Sequence, residues 1–574
     1  MSKNNIKVSP QQFDAIVVGT GISGGWAAKE LCENGLKTLV LDRGRNIEHI
    51  TDYKTAHMDP WDFPNGIATT RKTKERKFKQ HRTGYTTQEP HQHFFVDDIK
   101  HPYNEKRRFD WIRGYHVGGR SLVWGRQSYR LSDIDFEANK KENIGIDWPV
   151  RYKDIEPWYD KVEEFIGISG ENLGLKQLPD QKLLKPMNLN CVEQHLKKKI
   201  KESFDDGRLL TIGRVAHITE GTKPGAGRTT CQYRDRCMRG CPYGAYFSSN
   251  ASTLPTAEAT GNMTLRPHSI VYEVVYDELT QKASGVRIID AQTHEKIEYK
   301  AKVIFLCASA MASNSILLQS KSKRFPNGLG NDNDLVGRNL MDHHFWVGAT
   351  AIADGFDDKY YKGRRANGVF IPRFRNIGGK TNSKDFVRGY NYQGGATRSN
   401  ISEMVAELKY GPKLKEVILK PGEWKIDLIG FGETLPNHNN RLFMNYDKKD
   451  EWGLPTITFD ADFGENELAM RKDMKDQAVK MLKAAGFKNV KGYDVKENRA
   501  MGLGIHEMGG AQMGRDPKTS VLNAYNQVHT CKNVYVTDGA FMTSSGSQNP
   551  SLTYMAFTAR ATNHAAKQLK KNSI

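Results

Sequence analysis

Residues 13–42 constrain this chain more than any other stretch. The apolar run FDAIVV, Phe13–Val18, leads at once into GTGISGG. Gly19, Gly21 and Gly24 thus form G-x-G-x-x-G between a predicted strand and the start of a predicted helix. Gly19 allows a tight turn and Gly21 lets the backbone approach a pyrophosphate. Gly24 lets helix and strand pack closely, while the helix N-terminus offers N–H donors and the positive end of its dipole. The next apolar run, KTLVLD, ends at Asp42, an acid suited to ribose hydroxyls, with Arg43 beside it in the same cofactor set. Three glycines alone are a weak signal. Strand, glycines, helix, strand and acid in register are a strong one for dinucleotide binding, although they do not separate FAD from NAD.

The rest of the chain has room for more than this unit. At about 150 residues per domain, 574 residues allow up to four. Hydrophobic residues at 38%, charged residues at 26% and a mean hydropathy of −0.65 exclude a disordered, collagen-like or disulfide-dense chain. No run of about 18 apolar residues occurs, so no membrane span is expected. Met1–Gln12 is polar and lacks the pattern of a signal peptide, which predicts a cytoplasmic chain or one exported folded with a partner. The net charge of +19 is densest in Arg71–Arg82, which has neither a regular helical face nor a nucleic-acid motif. A solvated lysine-rich surface is the plain reading, and no nucleic acid is expected.

Segments 46–110, 263–307 and 345–500 differ in texture. The first is polar, aromatic and basic and reads as an irregular insertion or lid, in which Trp61 and Phe63 could stack on a ligand or pack the lid down. The second shows alternating strands and ends in KVIFLCAS, a run typical of a buried parallel strand. The third alternates strands and turns before an amphipathic stretch, Glu465–Ala485. Residues 501–574 return to glycine-rich loops, a short apolar strand and a final helix. The expected fold is α/β. A Rossmann-like dinucleotide domain is assembled from discontinuous segments, 1–344 and 501–574, and an α+β substrate domain with a mostly antiparallel sheet occupies 345–500.

Of seven cysteines, Cys32, Cys191, Cys307 and Cys531 are scattered, and three lie in CQYRDRCMRGCPYGAY at 231–246. An odd count with one tight cluster argues for a site and against a disulfide framework. Cys231, Cys237 and Cys241, in the loop 228–250, are spaced C-x5-C-x3-C. Three thiolates this close favour a soft metal or an iron–sulfur cluster. A structural zinc would need a fourth ligand, and no histidine lies nearby in sequence. Three thiolates suit a three-iron cluster; zinc, a disulfide and incidental thiols stay open.

Four further stretches carry a family resemblance: GYHVGGRSLVWGR at 114–126, LVGRNLMDHH at 335–344, GIHEMGGAQMG at 504–514 and VYVTDGAFMTSSGSQNPSLT at 534–553. With the N-terminal motif, and in family order, they resemble the glucose–methanol–choline (GMC) oxidoreductases from residue 13 to about 560. The resemblance implies FAD. Gly118, Gly119, Ser121 and Trp124 would lie beside the flavin, and Asp538 and Gly539 near its ribityl and pyrophosphate. Val123 stands where some relatives carry a histidine bonded to FAD, so the cofactor is expected to be non-covalent. His506 and Asn549 match the pair that faces the flavin. Alcohol oxidation needs a base for the hydroxyl proton, which a histidine supplies, and an asparagine amide orients the same oxygen.

The cysteine spacing resembles a subgroup of bacterial flavoprotein sugar dehydrogenase large subunits that carry a [3Fe–4S] cluster. RFDWIRGYHVGGRSLVWGRQSYR and CQYRDRCMRGCPYGAYFSSNASTLP are most similar to glycoside 3-dehydrogenases. This implies oxidation of glycosides or disaccharides at C3 and electron flow through the cluster to a cytochrome c-type acceptor. It also implies a small accessory subunit that co-exports the chain to the periplasm. Arg234, Arg236 and Arg239 would offset cluster charge or meet the acceptor. Alternatives are an aldose C1 or gluconate-type dehydrogenase, an oxygen-using oxidase, a lyase that keeps FAD structurally, and a zinc-containing binding protein. Candidate sugar contacts are Gln127, Tyr129, Arg130, His343, His344, Glu433, Glu507 and Gln548.

Overall fold

The computed structural model describes residues 6–357, 368–398 and 422–574; parts of the expected substrate segment, 358–367 and 399–421, lie outside them. The strand Lys7–Val18 is central to the first sheet. It pairs in parallel with Lys296–Leu306 on one side and Thr38–Leu41 on the other. Cys531–Val536 and Met263–Arg266 extend the parallel array outward. The stretches Ala15–Val18, Thr38–Leu41 and Val303–Leu306 of these strands read as apolar runs because both of their faces are covered. Alternate residues serve the two faces. Ala15, Val17, Val40, Val303 and Phe305 pack with Ala27, Ala28 and Leu31 of the helix Ile22–Glu33 and with Ala561 and Ala565 of the C-terminal helix Ser551–Lys570. Ile16, Val18, Leu39, Leu41, Ile304 and Leu306 face the larger core on the other side. An antiparallel hairpin, Ser269–Asp277 and Lys282–Asp290, lies against the first half of Lys296–Leu306.

Among the described residues the second sheet has six strands, all antiparallel, in the order Lys488–Asp494, Val347–Ala353, Trp424–Gly432, Tyr390–Arg398, Val369–Ile371, Thr211–Ile212. The amphipathic stretch forms a helix, Glu465–Ala484, whose Met470, Met474, Ala478 and Met481 cover this sheet together with Val192, Leu196 and Ile200 of the helix Cys191–Ser203. Long-range pairing decides sheet membership, so position in the chain does not follow it. Thr211–Ile212 and Cys191–Ser203, from before residue 345, join the second sheet. The hairpin Arg441–Lys449 and Pro455–Asp460, from after it, pairs with Asn104–Glu105. Phe459 of that hairpin stacks on Phe109 at 4.0 Å in the first core.

The insertion 46–110 holds a short helix, Arg71–Arg76, and several single turns. Much of its charge is spent inward. Arg82 pairs with Glu105 and Asp110 at 2.6 and 3.0 Å, and Lys77 donates to the Phe95 carbonyl at 2.8 Å. No described helix is long and apolar enough to cross a membrane.

Candidate active site

A cavity of about 440 Å³ runs from the first glycine turn to the 504–507 loop and to Asn549, between the two sheets. At its first end the three glycines have separable reasons. Gly19 has φ +96°, and a Cβ there would meet the Cys307 carbonyl oxygen at 2.5 Å. A Cβ on Gly24 would sit 1.9 Å from the Gly19 carbonyl oxygen, so helix and turn could not close. Gly21 has nothing within 4 Å of the same position, which leaves that space for a ligand. Asp42 is buried and lines the cavity. Its Oδ2 accepts from the Thr20 backbone and hydroxyl, and Oδ1 accepts from the Gly44 N–H. Burial raises its pKa against those hydrogen bonds. Arg43 packs its guanidinium over Tyr115 and Trp452 at 4.5 and 5.1 Å and pairs with Asp450.

The 114–126 loop closes on this turn. The Gly118 N–H donates to the Thr20 hydroxyl at 2.8 Å, and the Ser121 hydroxyl returns to the Gly118 carbonyl at 2.6 Å. Gly118 must be glycine, because a Cβ would overlap the Asn250 side chain at 1.6 Å. A Cβ on Gly119 would be 3.6 Å from the Gly21 Cα. Trp124 donates its indole N–H to the Phe247 carbonyl at 2.9 Å. Asp538 caps the following turn by accepting from the Ala540 N–H at 3.0 Å, and burial raises its pKa to about 6. A Cβ on Gly539 would collide with the Glu507 carbonyl at 2.3 Å, which fixes the 504–507 loop against this turn. The N-termini of the helices Ile22–Glu33 and Ser551–Lys570 both reach the cavity wall, a favourable setting for an anionic cofactor.

At the other end four side chains form one hydrogen-bonded chain. His343 Nε2 lies 2.8 Å from the Gly546 carbonyl, and His343 Nδ1 lies 2.8 Å from His506 Nδ1. His506 Nε2 lies 3.2 Å from Asn549 Nδ2, and Asn549 Oδ1 accepts from Gln393 Nε2 at 2.6 Å. A carbonyl only accepts, so His343 carries its proton on Nε2 and offers a lone pair at Nδ1. His506 then donates from Nδ1, and its Nε2 lone pair faces Asn549 and the cavity. Both imidazoles are neutral. Burial lowers the His343 pKa to about 4, and burial with His343 and Arg120 lowers that of His506 well below its usual value. Asp342 holds the backbone by accepting from the Gly504 and His506 N–H groups at 2.8 and 2.9 Å, with Ile505 between them at φ +58°.

The candidate sugar contacts divide. Gln127 lines the cavity and accepts from the Tyr129 hydroxyl. Glu507 also reaches the cavity wall, but both its oxygens are held by Arg120 at 2.9 and 2.7 Å. The others are spent on internal structure away from the cavity. Glu433 pairs with Arg388 at 3.0 Å, and Gln548 bonds Asp135 and the Gln177 carbonyl, both at 3.2 Å. Arg130 pairs with Glu163 and Asp160, Tyr129 stacks on Phe370 at 4.0 Å, and His344 lies buried against Gly432 and Phe463, outside both cavities, with neither ring nitrogen hydrogen-bonded among the described residues. His343 stands behind His506 with both nitrogens used. Trp61 is exposed, and Phe63 packs under Arg239. Phe345, Phe431 and Gln393 complete the cavity wall and have no signal in the sequence. Phe345 stacks on Phe431 at 4.9 Å, and Phe431 meets His506 at 6.1 Å.

Cys231, Cys237 and Cys241 line one small separate cavity. The seven cysteines form no disulfide among the described residues. Burial raises the Cys231 thiol to about 11. Among the described residues no three His, Cys, Asp or Glu side chains converge to hold a single metal ion. The loop's arginines tie it to the insertion. Arg236 pairs with Asp59, Arg234 donates to the Ala56 carbonyl at 3.2 Å, and Arg239 donates to the Met58 carbonyl at 2.7 Å. Arg126 ends the 114–126 loop and lines the large cavity. It donates to the Cys237 carbonyl at 2.6 Å, so one residue spans both cavities.

Family models described as GMC oxidoreductase match residues 13–345 and 437–558. The chain is 26% identical to the fructose dehydrogenase large subunit of Gluconobacter japonicus, over 97% of this chain and 98% of that one. It is 23% identical to the gluconate 2-dehydrogenase flavoprotein of Pantoea cypripedii, over 98% and 95%. The solved structure of formate oxidase from Aspergillus oryzae superposes with a TM-score of 0.61 at 14% identity, covering 98% of this chain and 99% of that one. With the N-terminal family model alone spanning more than half of its length, the chain belongs to the GMC oxidoreductases, FAD-dependent enzymes that act on CH–OH donors.

Proposed function

We propose that this protein oxidises a ring hydroxyl of a sugar, with His506 as the base, and that the hydroxyl is at C3 of a glycoside or disaccharide. The observation that carries the base assignment is the chain Gly546–His343–His506–Asn549–Gln393, which leaves one histidine lone pair facing the cavity. A substrate hydroxyl entering between His506 and Asn549 gives its proton to Nε2 and receives an N–H from the Asn549 amide. Gln393 keeps that amide oriented by holding its oxygen. His343 accepts from the imidazolium formed, and a hydrogen bond to a charged group is stronger than one to a neutral group. FAD, when bound, accepts the hydride from the same carbon. Gly19, Gly21, Gly24 and Asp42 would hold its adenosine diphosphate end, and Gly118, Gly119, Ser121, Trp124, Asp538 and Gly539 its flavin end.

Phe345 and Phe431, both lining the cavity, suit the apolar side of a pyranose, and Gln127 adds a polar wall. Two sugar-oxidising relatives, named as fructose and gluconate dehydrogenases, support the substrate class. The C3 assignment rests on the resemblance of residues 108–130 and 231–255. The three-cysteine loop supports a [3Fe–4S] cluster. A single ion needs ligands converging on one point, whereas each thiolate of a cluster binds a different iron, so the cysteines surround the group. When bound, such a cluster passes electrons singly to a one-electron acceptor, which we take to be a cytochrome c. Arg126, which lines the large cavity and donates to the Cys237 carbonyl, connects the two cavities. A small accessory subunit, and export in its company, complete this reading; the Gluconobacter relative is named as a large subunit. The test is product analysis. Methyl glucoside with an artificial one-electron acceptor is expected to give the 3-keto glycoside by NMR. A lactone from free glucose, with methyl glucoside untouched, would reject it.

A further inference from the structure

The cysteine cavity has a fourth wall that comes from outside its loop. His217 precedes Cys231 by 14 residues, yet it lines the same cavity as the three cysteines. It is 1% exposed, and neither ring nitrogen has a hydrogen-bond partner among the described residues. An imidazole buried with both nitrogens unsatisfied is expensive, and His217, unlike the similarly buried His344, lines a cavity in which a ligand could satisfy it. Its neighbours are committed elsewhere. Tyr246 pairs with its backbone and meets its ring at 5.8 Å, but sends its hydroxyl to the Leu122 carbonyl. Arg228 is held by the Gly244 and Ile166 carbonyls at 3.0 and 2.6 Å. Arg126 lies over the Tyr246 ring at 3.9 Å and donates to Cys237. Burial, with the Arg126 and Arg228 guanidiniums, lowers the imidazole's pKa well below its usual value, so the neutral ring retains one N–H.

We propose that His217 donates that N–H to a sulfur of the iron–sulfur group held by Cys231, Cys237 and Cys241, and so sets its reduction potential; this rests on the iron–sulfur reading above. A donor aimed at a cluster sulfur stabilises the more negative, reduced form and raises the potential. Direct ligation is disfavoured because three thiolates already serve three irons. A Cys3His zinc site would need all four groups to converge on one ion, and no such set exists among the described residues.

The experiment is an EPR-monitored redox titration of the full-length holoprotein and its His217→Leu and His217→Gln variants, with iron, sulfide and flavin content measured on each. His217→Leu is expected to keep its iron and line shape while its midpoint falls by about 59 mV, a tenfold change for a one-electron couple. His217→Gln, which keeps an N–H, is expected to stay near the parent. An unmoved midpoint in His217→Leu overturns the proposal. So does a change of cluster type or iron count in that variant, which would make His217 a ligand. A parent protein without iron overturns the cluster reading itself, and the two failures are thereby told apart.

Discussion

Replacing His343 by leucine isolates the part of the catalytic chain that never touches substrate. The substitution removes the acceptor 2.8 Å from His506 Nδ1 and the donor to the Gly546 carbonyl. In the resting state a neutral hydrogen bond is lost, worth about 0.5–1.5 kcal/mol. Once His506 has taken the substrate proton, a bond to a charged group is lost, worth about 1.5–3 kcal/mol. Only the difference, about 1–1.5 kcal/mol, slows the chemical step. At 1.36 kcal/mol per decade this is a fall in rate of about 5–13-fold. Removing the base itself, His506→Ala, is expected to cost about 10²–10⁴-fold. The assay is anaerobic stopped-flow bleaching of the flavin at saturating substrate, with FAD content confirmed by absorbance. An unchanged rate in His343→Leu would refute the relay. A loss as large as that of His506→Ala, with FAD retained, would mean that His343 acts on substrate directly.

Gly21→Ala is expected to fold normally but to lose FAD on dilution, whereas Gly24→Ala, whose Cβ meets backbone at 1.9 Å, is expected not to fold; equal FAD retention by Gly21→Ala and the parent would place the cofactor elsewhere. For the parent, kcat/KM is expected to stay level as pH falls through 6.5, because the depressed His506 pKa keeps the base unprotonated there. Asn549→Asp puts a carboxylate about 3.2 Å from His506 Nε2, which raises that pKa and moves the acid limb to higher pH; a limb that does not move argues against the pairing. Glu507→Gln removes the carboxylate charge and one of the two oxygens that hold Arg120, whose side chain is one-quarter exposed, and is expected to destabilise the protein by about 1–3 kcal/mol; an unchanged melting temperature would show that the amide oxygen alone satisfies Arg120.

What the sequence made legible was local or carried by motif. Phe13–Asp42 can be read because strand, turn and helix are contiguous and each glycine has a steric reason nearby. KVIFLCAS reads as a parallel strand because burial on both faces leaves no alternation. His506 and Asn549 stand out only within their motifs, since a histidine and an asparagine 43 residues apart carry no pattern of their own. Polarity alone misled. Glu433, Gln548 and Arg130 look like ligand contacts in a linear string, and they bind Arg388, Asp135 and Glu163 across the fold. The wall opposite His506 was invisible because β-pairing assembles it. Gln393 lies opposite Ile429 between Tyr390–Arg398 and Trp424–Gly432, and this brings it beside Asn549. His217 was missed for the same reason: its distance from the cysteines along the chain hides their shared cavity.

The most direct test of the account is anaerobic absorbance of the purified protein with methyl glucoside, whose anomeric hydroxyl is blocked. The oxidised flavin band is expected to bleach in the parent and to persist in His506→Ala. A flavin that stays oxidised with methyl glucoside but bleaches with free glucose would contradict it and identify a C1 dehydrogenase.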